Sequence, residues 1–100
     1  MTTVNQSELR LSAQRALIYS IPRRLRNLSL EVRGKTLVLR AYFSSEPTED
    51  DRDLLFAASG EIEGDFPELD SSSGVVEFIV DDGPIDGLDT LRWVVFSLSE

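Results

Sequence analysis

The chain contains no cysteine and no histidine, and only one tryptophan and one methionine among its 100 residues. Without cysteine there are no disulfides, no thiolate nucleophile, no iron–sulfur cluster and no thiolate zinc site. Without histidine there is no Ser-His-Asp relay, no imidazole base and no ordinary zinc catalysis. Long apolar runs are missing too. The longest, Trp93-Val94-Val95-Phe96, is strand-sized and far below the ~20 residues that span a bilayer. The start, Met1-Thr2-Thr3-Val4-Asn5-Gln6-Ser7-Glu8, has neither the basic residues nor the apolar stretch of a secretory signal. The expectation is a soluble cytoplasmic protein. At 41% hydrophobic and 28% charged, 100 residues make one domain, 1–100, with a core large enough to fold alone.

Charge is the most informative feature present. The formal net charge is −8, but it is split unevenly. Residues 1–43 carry eight basic groups against Glu8 and Glu31, a balance of +6. Residues 44–100 carry Arg52 and Arg92 against sixteen carboxylates, a balance of −14. Part of this split can cancel where basic strands lie beside acidic segments. The acidic excess is too large for that, and some of it must face water or a basic partner.

The periodicity predicts six elements. Leu9 to Ile21 reads as a helix with Ser7 as N-cap, Leu9, Ala13, Ala16, Leu17 and Ser20 on one face, and Pro22 as its stop. Leu11 and Ile18 fall on the opposite face, so the helix is expected to be buried on two sides; the alternative is an apolar strip left for a partner. Leu28–Arg33 and Lys35–Phe43 alternate as strands, with Leu37, Leu39, Ala41 and Phe43 inward and Thr36, Val38, Arg40 and Tyr42 outward. A two-residue turn using Gly34 sets Val32 opposite Leu37 and Leu30 opposite Leu39. Between Ser44 and Phe66 lies a second helix, with Thr48 as N-cap, Asp51 completing a capping box, and a stripe of Leu55, Ala58, Ile62 and Phe66. Gly60 and Gly64 fall with Asp53 and Ala57 on its outer side, which means either a smooth patch or a kinked helix. Gly74–Val80 and Leu91–Leu98 are strands with poor alternation. Either that half of the sheet is covered on both faces, or one apolar face is exposed and used. The fold class is α+β, α-β-β-α-β-β: a four-stranded, mainly antiparallel sheet with two helices packed on one face.

Several chemistries are set aside. Asp81, Asp82, Asp86 and Asp89 crowd one loop, but their spacing does not match a calcium-binding EF-hand. No carboxylate pair stands out for acid–base catalysis, and Gly83-x-x-x-Gly87 lacks the lysine of a phosphate-binding loop. No cofactor and no enzymatic activity are expected. Arg23, Arg24, Arg26, Arg33 and Arg40 with Tyr42 would make a basic, aromatic-bearing sheet face, yet the global charge opposes a polyanion. An interaction module with an acidic surface remains, suited to a basic protein partner. The candidate contact residues are Asp53, Glu61, Asp65, Glu68, Asp70, Asp81, Asp82, Asp86 and Asp89. Neither nucleic acid nor membrane is expected as a partner, and the chain is expected to be a monomer or weak dimer.

Three stretches carry a resemblance. Leu30 to Phe43, then Glu46-Pro47-Thr48-Glu49-Asp50-Asp51, then Glu61-Ile62-Glu63-Gly64-Asp65-Phe66-Pro67-Glu68 together resemble small bacterial immunity proteins of contact-dependent inhibition and polymorphic toxin systems. In those, a strand ending near R-x-Y-F leads into an x-P-T/S-E-E-D helix that closes in D-F-P. The resemblance covers about 40 of the 100 residues. It implies an intracellular protein that binds and neutralises one cognate toxin domain, often a nuclease, and it assigns no particular binding residues. A rival of a different class is a small acidic secretion chaperone or adaptor subunit, dimeric and holding its client on apolar strips.

Overall fold

The computed structural model describes residues 5–17, 21–70 and 72–98. Its centre is the hairpin of β1 (Leu25–Arg33) and β2 (Thr36–Phe43). Arg33 pairs with Thr36, so the turn has two residues, and Gly34 holds φ at 66°. A residue with a Cβ is disfavoured there by roughly 1–2 kcal/mol. The register places Val32 opposite Leu37 and Leu30 opposite Leu39, as the alternation requires. β1 begins three residues earlier than its pattern suggested, with a bulge between Leu25 and Asn27.

α2 (Glu49–Asp65) follows β2 and carries the expected capping box. The Thr48 hydroxyl accepts from the Asp51 amide at 3.1 Å, and the Asp51 carboxylate accepts from the Thr48 amide at 2.9 Å. Leu55, Ala58, Ile62 and Phe66 are buried. The helix runs through Gly60 and Gly64 without interruption, and both face open space, so the outer side with Asp53 and Ala57 is a smooth surface rather than a kink. At ~1.5 Å per residue α2 returns the chain along the whole length of β2. The next strand, β3 (Val75–Val80), therefore pairs parallel to β2. β4 (Trp93–Ser97) pairs antiparallel to β1, giving a mixed sheet in the order β3-β2-β1-β4.

α1 (Gln6–Ala16) lies beside α2 on the same face. Its N-cap is Asn5, which accepts from the Glu8 amide at 3.1 Å, so the helix starts earlier than a Ser7 cap allows. Leu17 caps its C-terminus and Ile21 is outside any helix; Ile18 and Ser20 lie outside the described residues. Leu9, Ala13 and Leu17 are buried as expected, but Leu11 is 54% exposed. Burial on two sides is thus corrected. With α2 and the sheet covering one side of α1, nothing among the described residues covers the other.

The core fills the space between the helices and one sheet face: Leu9, Ala13, Leu55 and Ile62 against Leu28, Leu30, Leu37, Leu39, Ala41 and Phe43. The second face departs from expectation. Val38 and Tyr42, on the outward side of β2, are buried, as are Asn27 and Ser29 of β1. The cause is topological. β3 and β4 occupy opposite edges, so residues 81–92 must cross the sheet, and the helices already occupy the other face. The middle of the sheet is therefore covered on both sides, while Val75, Val80 and Val94 on the edge strands stay exposed.

Candidate functional site

The crossing segment carries four of the candidate carboxylates, and its backbone is tied to the sheet toward both ends. Its first amide, that of Asp81, donates to the Phe43 carbonyl at 2.9 Å. The Arg26 guanidinium, buried beneath, donates to the carbonyls of Asp81 and Gly83. Further on, the Tyr42 hydroxyl (2.7 Å) and Arg40 Nη1 (2.9 Å) both donate to the Asp89 carbonyl. The Leu91 amide then donates to the buried Ser29 hydroxyl at 2.9 Å. Arg40 is also bound to Glu77 at 2.7 Å, and that bond raises the pKa of the guanidinium further.

Local chemistry shapes the segment between these ties. Asp81 accepts from the Gly83 amide at 2.9 Å, a turn that aspartate forms readily. Pro84 leads into a single 3-10 turn at Ile85–Gly87. The carbonyls of Asp81, Gly83 and Asp89 face arginine and tyrosine, and the Asp89 carboxylate lies 3.6 Å from Arg40 Nη1. The Asp89 side chain is 93% exposed although its own carbonyl is held twice. Asp81, Asp82 and Asp86 are exposed as well. The strap is thus an acidic edge on a fixed backbone.

The other five candidates lie elsewhere. Asp53 and Glu61 are exposed on α2, on the helical side of the sheet. Asp65, in the last turn of α2, accepts from the Ser12 hydroxyl at 2.6 Å and lies 4.0 Å from Arg15. With Glu8, Leu11, Arg15 and Phe66 it lines a shallow groove of about 380 Å³. Glu68 is half-buried in the turn after α2. Asp70 accepts from the hydroxyl and the amide of Ser72, at 2.7 and 3.0 Å, and these bonds hold its carboxyl below the usual range. The nine carboxylates therefore do not form one patch: four lie on the crossing segment, three on α2, and Glu68 and Asp70 in the turn beyond it, where the Asp70 amide donates to the Lys35 carbonyl at 2.8 Å.

Half of the basic residues of the first 43 are engaged by the fold, while Arg10, Arg23, Arg24 and Lys35 are exposed. Arg40 and Arg15 approach acids of the second half, and Arg33 approaches Glu31, whose carboxyl it lowers by hydrogen bonding. Tyr42 lies buried beneath the strap, so it is not part of an exposed basic, aromatic face of the sheet. Sequence reasoning also missed the anchors: Ser29 and Tyr42 read as ordinary outward residues of alternating strands, and Arg26 precedes the strand predicted from Leu28. Glu63 was missed as well. It is buried in α2 with Oε2 lacking a hydrogen-bond partner, and burial, then the nearby Asp70 charge, raises its pKa. A Cβ on Gly74 would meet that oxygen at 2.5 Å. The available signal was position: Glu63 is four residues from buried Ser59, beside the apolar stripe.

Among the described residues no helix is long and apolar enough to cross a membrane, and no three acidic residues are placed to hold a metal ion. The model of the MafI2 immunity protein family matches residues 6–100 of the chain. No curated protein matches it.

Proposed function

This chain belongs to the MafI2 immunity protein family, and from that premise we propose that it binds and neutralises one cognate toxin domain through its acidic surface. The family carries the immunity role. The strap carries the proposal about the surface: four aspartates held outward on a backbone fixed by Arg26, Arg40, Tyr42 and Ser29. A fixed array of like charge loses little entropy on binding and speeds encounter with an oppositely charged partner. The reading is therefore a basic toxin domain, with nucleases as the favoured class, because a site built to attract phosphates also attracts carboxylates. Asp81, Asp82, Asp86 and Asp89 make the main contact; Asp53, Glu61, Asp65, Glu68 and Asp70 make the remaining ones. The protein acts by occupying the toxin and not by catalysis, in the bacterial cytoplasm where an incoming toxin of contact-dependent inhibition would act.

The test is the triple variant Asp81→Asn, Asp82→Asn, Asp86→Asn. None of the three carboxylates makes an ion pair among the described residues, and the amide oxygen of an asparagine in place of Asp81 still accepts from the Gly83 amide. The melting temperature should hold, while association with the toxin slows about tenfold at low salt, with a smaller effect at high salt. Unchanged affinity would sink the acidic-surface reading. A dimer that holds several clients through high salt would point instead to a secretion chaperone.

A further inference from the structure

The outer edge of β3 is a second surface that the strap does not explain. β3 pairs with β2 alone. The Asp81 amide bonds to the Phe43 carbonyl on β2. By the two-residue alternation of a strand, Glu77 and Ile79 also turn their backbone groups toward β2, and Val76, Phe78 and Val80 turn theirs outward. Among the described residues none of these outward groups has a partner.

Apolar side chains surround this row. Val75 is 43% exposed, Val80 48% and Phe56 of α2 54%, with the Phe56 ring 5.5 Å from that of Phe78. Edge strands of soluble proteins are normally guarded by lysine, proline, a bulge or a covering loop. Val75-Val76-Glu77-Phe78-Ile79-Val80 has no lysine or proline, and its one charge is engaged by Arg40. The exposed acids stand at its ends: Asp81 and Asp82 beyond Val80, and Asp70 before Val75.

We infer that the β3 edge receives an extended segment of the cognate toxin as a fifth strand, with apolar residues against Phe56, Phe78 and Val80 and lysine or arginine at the segment's ends. The inference rests on the immunity reading and specifies how the toxin is held. Added strands of this kind draw affinity from main-chain bonds and specificity from alternate side chains. A second copy of this chain is the poorer occupant, because each copy carries −8 and both ends of the edge are acidic.

The experiment uses the toxin domain that the tagged full-length chain retains from its source strain, purified and added back. Amide exchange is followed at Val76, Phe78 and Val80, alone and in the complex. These amides should exchange freely in the isolated protein and slow at least tenfold in the complex. In parallel, V80P removes one outward N–H without touching the β2 ladder, and V80A keeps it. V80P should weaken toxin binding at least tenfold and V80A less than threefold, both melting close to wild type. If the toxin binds but these amides stay unprotected and V80P binds as V80A does, the edge is not the contact, and the immunity reading survives. A free protein that sediments as a dimer with these amides already slow would assign the edge to a second copy and overturn the inference. If the wild type retains no toxin, the immunity reading itself fails and takes this inference with it.

Discussion

Ser29→Ala isolates the tie between strap and sheet. Ser29 is fully buried, and its hydroxyl is the acceptor for the Leu91 amide at 2.9 Å. Removing the hydroxyl leaves that N–H in the interior with no acceptor. A buried donor left unsatisfied costs about 1–3 kcal/mol, so about 2 kcal/mol is expected. Domains of this size have roughly 5–15 kcal/mol in all, and each kcal/mol shifts the melting point by roughly 4–8 °C. The variant should therefore melt roughly 8–16 °C lower. Tyr42→Phe provides the contrast. It removes the 2.7 Å bond to the Asp89 carbonyl, but Arg40 still donates to that oxygen at 2.9 Å, so a loss of only about 1 kcal/mol is expected. Thermal unfolding followed by circular dichroism ranks the two, and amide exchange at Leu91 reports the strap directly. If Ser29→Ala melts within about 2 °C of wild type and Leu91 remains protected, the strap is not anchored as described.

Two further outcomes bear on α2. Thr48→Ala removes the capping hydroxyl from the Asp51 amide and should cost about 1 kcal/mol; an unchanged melting point would show that the box is dispensable. Glu63→Gln addresses the buried carboxylate. Burial raises the folded-state pKa of Glu63, so its contribution is fully present below the unfolded glutamate value and is lost as pH rises through the folded one. Wild type should therefore lose stability relative to Glu63→Gln as pH rises from about 4 to about 8. The difference between the two proteins cancels the opposite trend of Glu31, whose carboxyl is lowered. Denaturant unfolding across that range measures it, and a flat or reversed difference would refute the buried-charge account.

Local rules were enough for much of this chain. The Gly34 turn, the hairpin register, the Thr48–Asp51 box and the Leu55 stripe follow from residue chemistry within a few positions, and such short-range preferences can be read directly. The acidic character and the family resemblance were legible for the same reason. What the neighbours of a residue cannot say is which surface it will meet across the sheet. Tyr42 and Val38 alternate as outward residues, yet they are buried because β3 and β4 took opposite edges and the chain between them had to cross over β2 and β1. That same crossing turned an acidic loop into an anchored strap and separated its carboxylates from those of α2. Edge placement likewise left Val75 and Val80 exposed with unpaired backbone beside them. Composition fixed the net charge of −8; strand order decided which aspartates lie on the segment that crosses the sheet and which edge stays open.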